Sequence, residues 1–204
     1  MERLDPPRAI TVRPRSIVDS IKAHALLLFG MLGLMWAAET LDLLPFVDLD
    51  RFGIRPRTAP GLVGIVCAPF LHANFAHLLS NSVPFLILGG VVLLGGSTTF
   101  WRVTLFVMLV GGFAVWLLGA RYSDHLGASG LIFGYLGFLL ARGFFERSAM
   151  WMLVSFIMLV LYGGLLFGVL PLRAGISWEG HLFGFLAGIA AARWMFPGGR
   201  KLFG

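Results

Sequence analysis

One serine, two histidines and one asparagine in this 204-residue chain have the types and spacing for acyl-transfer chemistry. Ser129 lies in HLGASGLIFGYLGF at an expected helix start, flanked by Gly127 and Gly130, with no bulky side chain crowding it. A serine hydroxyl is a weak nucleophile until a base takes its proton, and neutral histidine is the usual base. His181, in SWEGHLFGFLAG, shares a helix face with Gly184 and Gly188 at i, i+3 and i+7. Attack on a carbonyl creates an oxyanion, which needs preorganised donors. His77 and Asn81, at i and i+4 in FLHANFAHLLSNSVPF, share a face and are candidates, together with the Ser129 backbone N–H. No carboxylate is placed to orient His181, because Glu179 points elsewhere on the helix and Asp124 falls in a loop. The expectation is therefore a Ser–His dyad rather than a three-residue arrangement. His125, four residues before Ser129, is a rival base, but it precedes the serine in a loop. The tetrapeptide Gly127-Ala128-Ser129-Gly130 is not the elbow of soluble hydrolases, which needs glycine where Leu131 stands.

The elements that must hold these residues follow from a scarcity of charge. Hydrophobic residues make up 58% of the chain and charged residues 13%, against roughly 45–50% and about 25% in soluble domains. Mean hydropathy is +0.87. This excludes a disordered chain, a soluble secreted domain and a nucleic-acid module built on a basic face. The single cysteine, Cys67, excludes an intrachain disulfide and a cysteine-built metal site, and reads as a small apolar filler.

The gaps between charges mark the membrane spans, each of about 20 apolar residues. Lys22 to Glu39 encloses 16 uncharged residues, Arg102 to Arg121 encloses 18, and Asp124 to Arg142 encloses 17. Arg147 to Arg173 encloses 25, and Glu179 to Arg193 encloses 13 with apolar character continuing to Phe196. Arg57 to Arg102 encloses 44, too many for one helix and broken by Pro60 and Pro69. The expected fold is all-α, a compact bundle of six spans at about 23–41, 71–95, 101–120, 128–143, 149–169 and 179–196. A short polar tail, 1–22, precedes it and a tail, 198–204, follows; neither a cleavable signal peptide nor a soluble domain is expected.

Eleven Lys and Arg fall on the side of the N-terminus and five on the other. The excess puts both termini in the cytoplasm. The pI near 10.4 is thus a topology signal, and no nucleic-acid partner is needed to explain it. Even-numbered spans then enter from outside, so His77, Asn81, Ser129 and His181 can meet at one depth. His72, nine residues from Asn81 and about half a turn round the helix, belongs near the surface or against another helix. Gly130/Gly134, Gly164/Gly168 and Gly184/Gly188 have small-xxx-small spacing, which lets helices approach closely in lipid. The connection from about 43 to 70 is too apolar for a free loop and is expected to lie in the outer interface, packed on the bundle. Asp48-x-Asp50 within it, Glu179 and Trp178 read as solvated carboxylates and an interface anchor.

The GASG tetrapeptide, the H-x4-H-x3-N run (His72, His77, Asn81) and the H-x2-G-x3-G run (His181, Gly184, Gly188) resemble those of rhomboid intramembrane serine proteases. They occur in that family's order and on its second, fourth and sixth helices, in the basic six-helix form. The resemblance implies hydrolysis of peptide bonds in or near transmembrane segments of other membrane proteins, without metal or cofactor. It assigns Ser129 as nucleophile, His181 as base, His77 and Asn81 as oxyanion-side donors, and Gly127 as shaping the serine loop. Two departures stand out. Phe133 replaces a frequent tyrosine that stacks on the catalytic histidine, and can stack without the hydroxyl. Val63 and Gly64 stand where a Trp-Arg pair is common in the first external loop. Fourteen Arg against two Lys hints at a GC-rich bacterial genome, hence a bacterial cell membrane. The rival readings are a non-catalytic rhomboid-like protein that binds client membrane helices, and a transporter. Against the transporter stand the lack of charged residues at span centres and of inverted repeats.

Overall fold

The computed structural model describes residues 17–172 and 175–197. Among them six long helical segments run in order: α1 (Ile17–Asp42), α2 (Phe75–Leu93), α3 (Ser97–Leu118), α4 (Ser129–Glu146), α5 (Ala149–Val169) and α6 (Trp178–Met195). As helices, their bounds lie within about six residues of the segments expected from the sequence. The largest difference at a described boundary is in α1, which starts at Ile17 rather than 23, and α2 starts at Phe75 rather than 71. Leu71–Asn74 stays out of the helix, and Asn74 caps it by accepting the His77 N–H at 2.8 Å. The expected tails at 1–16 and 198–204, with Arg3, Arg8, Arg13, Arg15, Arg200 and Lys201, lie outside the described residues, as does Arg173. Residues 17–22, expected in the tail, already belong to α1.

α1, α2, α3 and α5 are long and apolar enough to cross a membrane. The other two, α4 and α6, carry four and three glycines and the charges of Arg142, Glu146, Glu179 and Arg193. Their position explains the difference. α4 is the centre of the bundle, with an unbroken buried run from Leu131 to Leu139, so its side chains meet protein on all sides rather than lipid. α5, by contrast, has only Trp151 and Met158 buried and is the most hydrophobic of the six by composition.

Glycine brings α4 and α6 together at backbone contact. A Cβ on Gly184 would lie 2.2 Å from the Gly130 carbonyl oxygen, and one on Gly188 would lie 1.9 Å from that of Gly134. These two pairs are the small-xxx-small contacts read from the sequence. The third, Gly164/Gly168, is different: it falls in a 3-10 stretch, Gly163–Val169, and Gly164 has no neighbour within 4 Å of a would-be Cβ.

The 43–70 connection folds into short turns at Asp50–Phe52, Pro60–Leu62, Gly64–Cys67 and Ala68–Phe70. It packs on α3 as expected. Arg57 and Trp116, far apart in the chain, tie the connection to α3. The Arg57 backbone N–H donates to Trp116 O at 2.9 Å, its guanidinium donates to Leu117 O at 2.9 Å, and Trp116 Nε1 donates to Thr58 O at 2.8 Å. Further along, Ile54 and His125 form a two-way backbone bridge, with N···O distances of 2.8 and 3.0 Å. The loop is therefore tied directly to the segment that leads into Ser129.

Candidate active site

The serine loop is built around a glycine that nothing else could replace. Gly127 has φ +114°, and a Cβ there would lie 2.7 Å from His77 Cε1. Its N–H donates to Ala68 O at 2.9 Å, and the next N–H, of Ala128, donates to His72 Nε2 at 3.3 Å. His72 is 2% exposed and lies edge-on to His77, ring centroids 5.1 Å apart. It thus packs under the serine loop, rather than near the surface. Ser129 follows as the first residue of α4, where unpaired N–H groups and the helix dipole favour negative charge.

His181 lies in the first turn of α6, which Ser177 caps by accepting the Gly180 N–H at 3.1 Å. Its Nδ1 lies 2.9 Å from Gly168 O. A carbonyl can only accept, so Nδ1 carries the proton and Nε2 is left as the basic nitrogen. The Phe133 ring stacks on the imidazole with centroids 4.1 Å apart and planes 6° from parallel. Gly168 permits both contacts, since a Cβ there would lie 2.8 Å from Phe133 Cζ. The orienting group that no carboxylate supplies is a backbone carbonyl, which sequence reasoning missed because residue type does not encode it.

Ser129, His181, His77, Asn81 and Phe133 line one open cavity of about 1110 Å³. Among the described residues no hydrogen bond joins Ser129 Oγ to His181. Asn81 is 8% exposed, and its Nδ2 is buried without a hydrogen-bond partner. A donor buried in that state costs on the order of 1–3 kcal/mol, and it faces the loop that carries Ser129, 3.5 Å from a Gly127 Cβ position. The cavity mouth carries Asp48, Asp50 and Asp124 with Arg51 and Arg55. Arg55 pairs with Asp124 at 2.7 Å in a half-exposed contact. Burial, followed by Asp42, Asp48 and Asp124, holds the Asp50 carboxyl above the usual carboxylate range. Among the described residues no group of three or more His, Cys, Asp or Glu converges as a metal ligand set.

Three charges read as boundaries or solvated groups are in fact buried. Glu179 is 7% exposed and accepts the Ala120 N–H at 3.3 Å. Glu39 and Arg142 are 7% and 5% exposed. His125, the rival base, has both ring nitrogens engaged, with Ser123 and Ser177.

An apolar helical bundle with a serine, two histidines and an unpaired amide converging in one cavity defines a class, the helical membrane proteins with a polar internal site. A model of the Rhomboid domain matches residues 60–198. An uncharacterized protein of Mycobacterium tuberculosis is 40% identical over 195 residues, covering 92% of this chain and 79% of that protein. Its counterpart in Mycobacterium bovis matches equally, and one from Mycobacterium leprae is 43% identical over 169 residues, covering 79% of this chain and 67% of its own length. The chain belongs to the rhomboid family and is a membrane protein.

Proposed function

We propose that this protein is an intramembrane serine endopeptidase that hydrolyses peptide bonds in or near transmembrane segments of other membrane proteins. The observation that carries the proposal is the state of His181: clamped between the Gly168 carbonyl and the Phe133 ring, with Nε2 free, in the cavity that Ser129 also lines. In this reading Ser129 Oγ attacks the scissile carbonyl carbon while His181 Nε2 takes its proton. The oxyanion is held by Asn81 Nδ2, His77 and the Ser129 N–H. The imidazolium then protonates the leaving amine, giving an acyl-enzyme. Water, deprotonated by His181, cleaves the ester and restores the serine. The orphaned Nδ2 of Asn81 supports its role, because a donor without a ground-state partner costs nothing to redirect when charge develops.

The bundle is proposed to cross the membrane six times, over 23–197, with both termini in the cytoplasm. The excess of Lys and Arg on the N-terminal side supports this orientation, and the mycobacterial relatives support a bacterial cell membrane. Purified protein in liposomes is expected to cleave a single-span substrate, and Ser129→Ala to abolish cleavage. Wild-type protein that binds such a helix without cutting it would instead support a non-catalytic, client-binding role.

A further inference from the structure

Four residues before Ser129 stands His125, and four before His181 stands Ser177. Their side chains meet, with His125 Nδ1 2.6 Å from Ser177 Oγ and His125 Nε2 2.8 Å from Ser123 Oγ. The partners fix where each proton sits. The Ser123 hydroxyl donates to Ala120 O at 2.7 Å, so its oxygen accepts from His125 Nε2–H. That leaves Nδ1 as the acceptor for the Ser177 hydroxyl, whose oxygen already accepts the Gly180 N–H. The result is one directed chain of bonds, from the α6 cap through a neutral imidazole to the end of α3. His125 is 5% exposed, and burial pushes its pKa below the ordinary imidazole range, against the opposing pull of Glu179 and Asp124. Both ring nitrogens are consumed in holding segments together, and the backbone of the same residue carries the bridge to Ile54.

The nucleophile and base sit on different helices, α4 and α6, which touch through glycine backbones and the Phe133–His181 stack. The Ser177–His125 bond adds a third tie, from the α6 cap to the loop just before Ser129. We propose that His125 is a positioning residue, whose hydrogen bond to Ser177 locks the serine loop to the α6 N-cap and so sets the approach of His181 to Ser129. The proposal rests on the hydrolase reading above. Displacing a catalytic group by about 1 Å can cost roughly 100-fold in rate, so this contact matters to turnover more than to substrate binding.

The test measures kcat and KM in liposomes for full-length wild type, His125→Phe, His125→Asn, Ser177→Ala, Ser177→Thr and the His125→Phe/Ser177→Ala double variant. His125→Phe is expected to lower kcat about 10- to 100-fold with KM within about twofold. His125→Asn, which keeps an acceptor near the Nδ1 position, is expected to recover most of the loss. The double variant should fall no lower than the worse single one, because both remove the same contact. Should His125→Phe not fold, Ser177→Ala against Ser177→Thr gives the same comparison, with the hydroxyl-retaining variant active. Additive losses, a His125→Phe kcat within about twofold of wild type, or no recovery in His125→Asn and Ser177→Thr would overturn the proposal. Wild type that cleaves, beside an unaffected His125→Phe, removes this inference alone; wild type that never cleaves removes the hydrolase reading beneath it.

Discussion

The α4/α6 pair buries polar groups at both ends, and the two ends do it in opposite ways. At the serine end the groups are formally neutral (Ser129, His181, His77 and Asn81) and open on a cavity, with His181 braced by the Gly168 carbonyl. At the other end sits a charge. The Arg142 guanidinium bonds Glu146 at 2.6 Å and lies 3.4 Å over the Trp151 ring, with Phe138 and Phe196 also against it. An ion pair and ring faces surround that charge, although Arg142 Nη1, like Asn81 Nδ2, is buried without a partner; the difference is that His181 and Asn81 line a cavity. The contrast separates polar burial that holds helices together from polar burial held ready for a ligand.

Substitutions can break this contrast from either side. Ser129→Ala is expected to lower cleavage by about 10⁴-fold or more while leaving the thermal midpoint in detergent unchanged. Arg142→Ala should do the reverse. Removing one partner of a buried pair costs on the order of 3–5 kcal/mol, read as a lowered midpoint, and Arg142→Met with Glu146→Leu together should restore most of it. If Arg142→Ala left stability intact, the closed end would need another explanation. Asn81→Ala is expected to lower kcat by about 10²–10³ with little change in KM, and an unchanged rate would reduce Asn81 to packing. Phe133→Ala removes a stack worth about 0.5–1.5 kcal/mol, up to roughly tenfold in rate, whereas Phe133→Tyr keeps the ring and should stay within about twofold of wild type.

Much of the serine end was legible in the sequence, because its chemistry is carried by residue types at helical spacings. His77 with Asn81, Ser129 and His181 with its glycines could be found by stepping i+3 and i+4 along apolar segments. Gly184 and Gly188 likewise marked a close-packing face, though not the helix that would meet it. What could not be read was whatever depends on where backbone and loops come to rest. The Gly168 carbonyl has no residue-type signature, and Gly168 itself looked like one more packing glycine. His125 and Ser177 lie 52 residues apart in segments that the sequence gives no reason to join. Arg57 in the connection and Trp116 in α3 are likewise joined only by the fold. Glu39, Arg142 and Glu179 misled for a shared reason: a charge near a helix end usually marks water, and here protein folds over each of them.

The central claim, that Ser129 is a nucleophile activated by His181, is tested most directly by labelling intact protein with a fluorophosphonate and locating the adduct by mass spectrometry. The account predicts stoichiometric labelling of wild type at Ser129, loss of labelling in Ser129→Ala and near-complete loss in His181→Ala. Wild type that stays unlabelled, or Ser129→Ala that labels as wild type does, would contradict it.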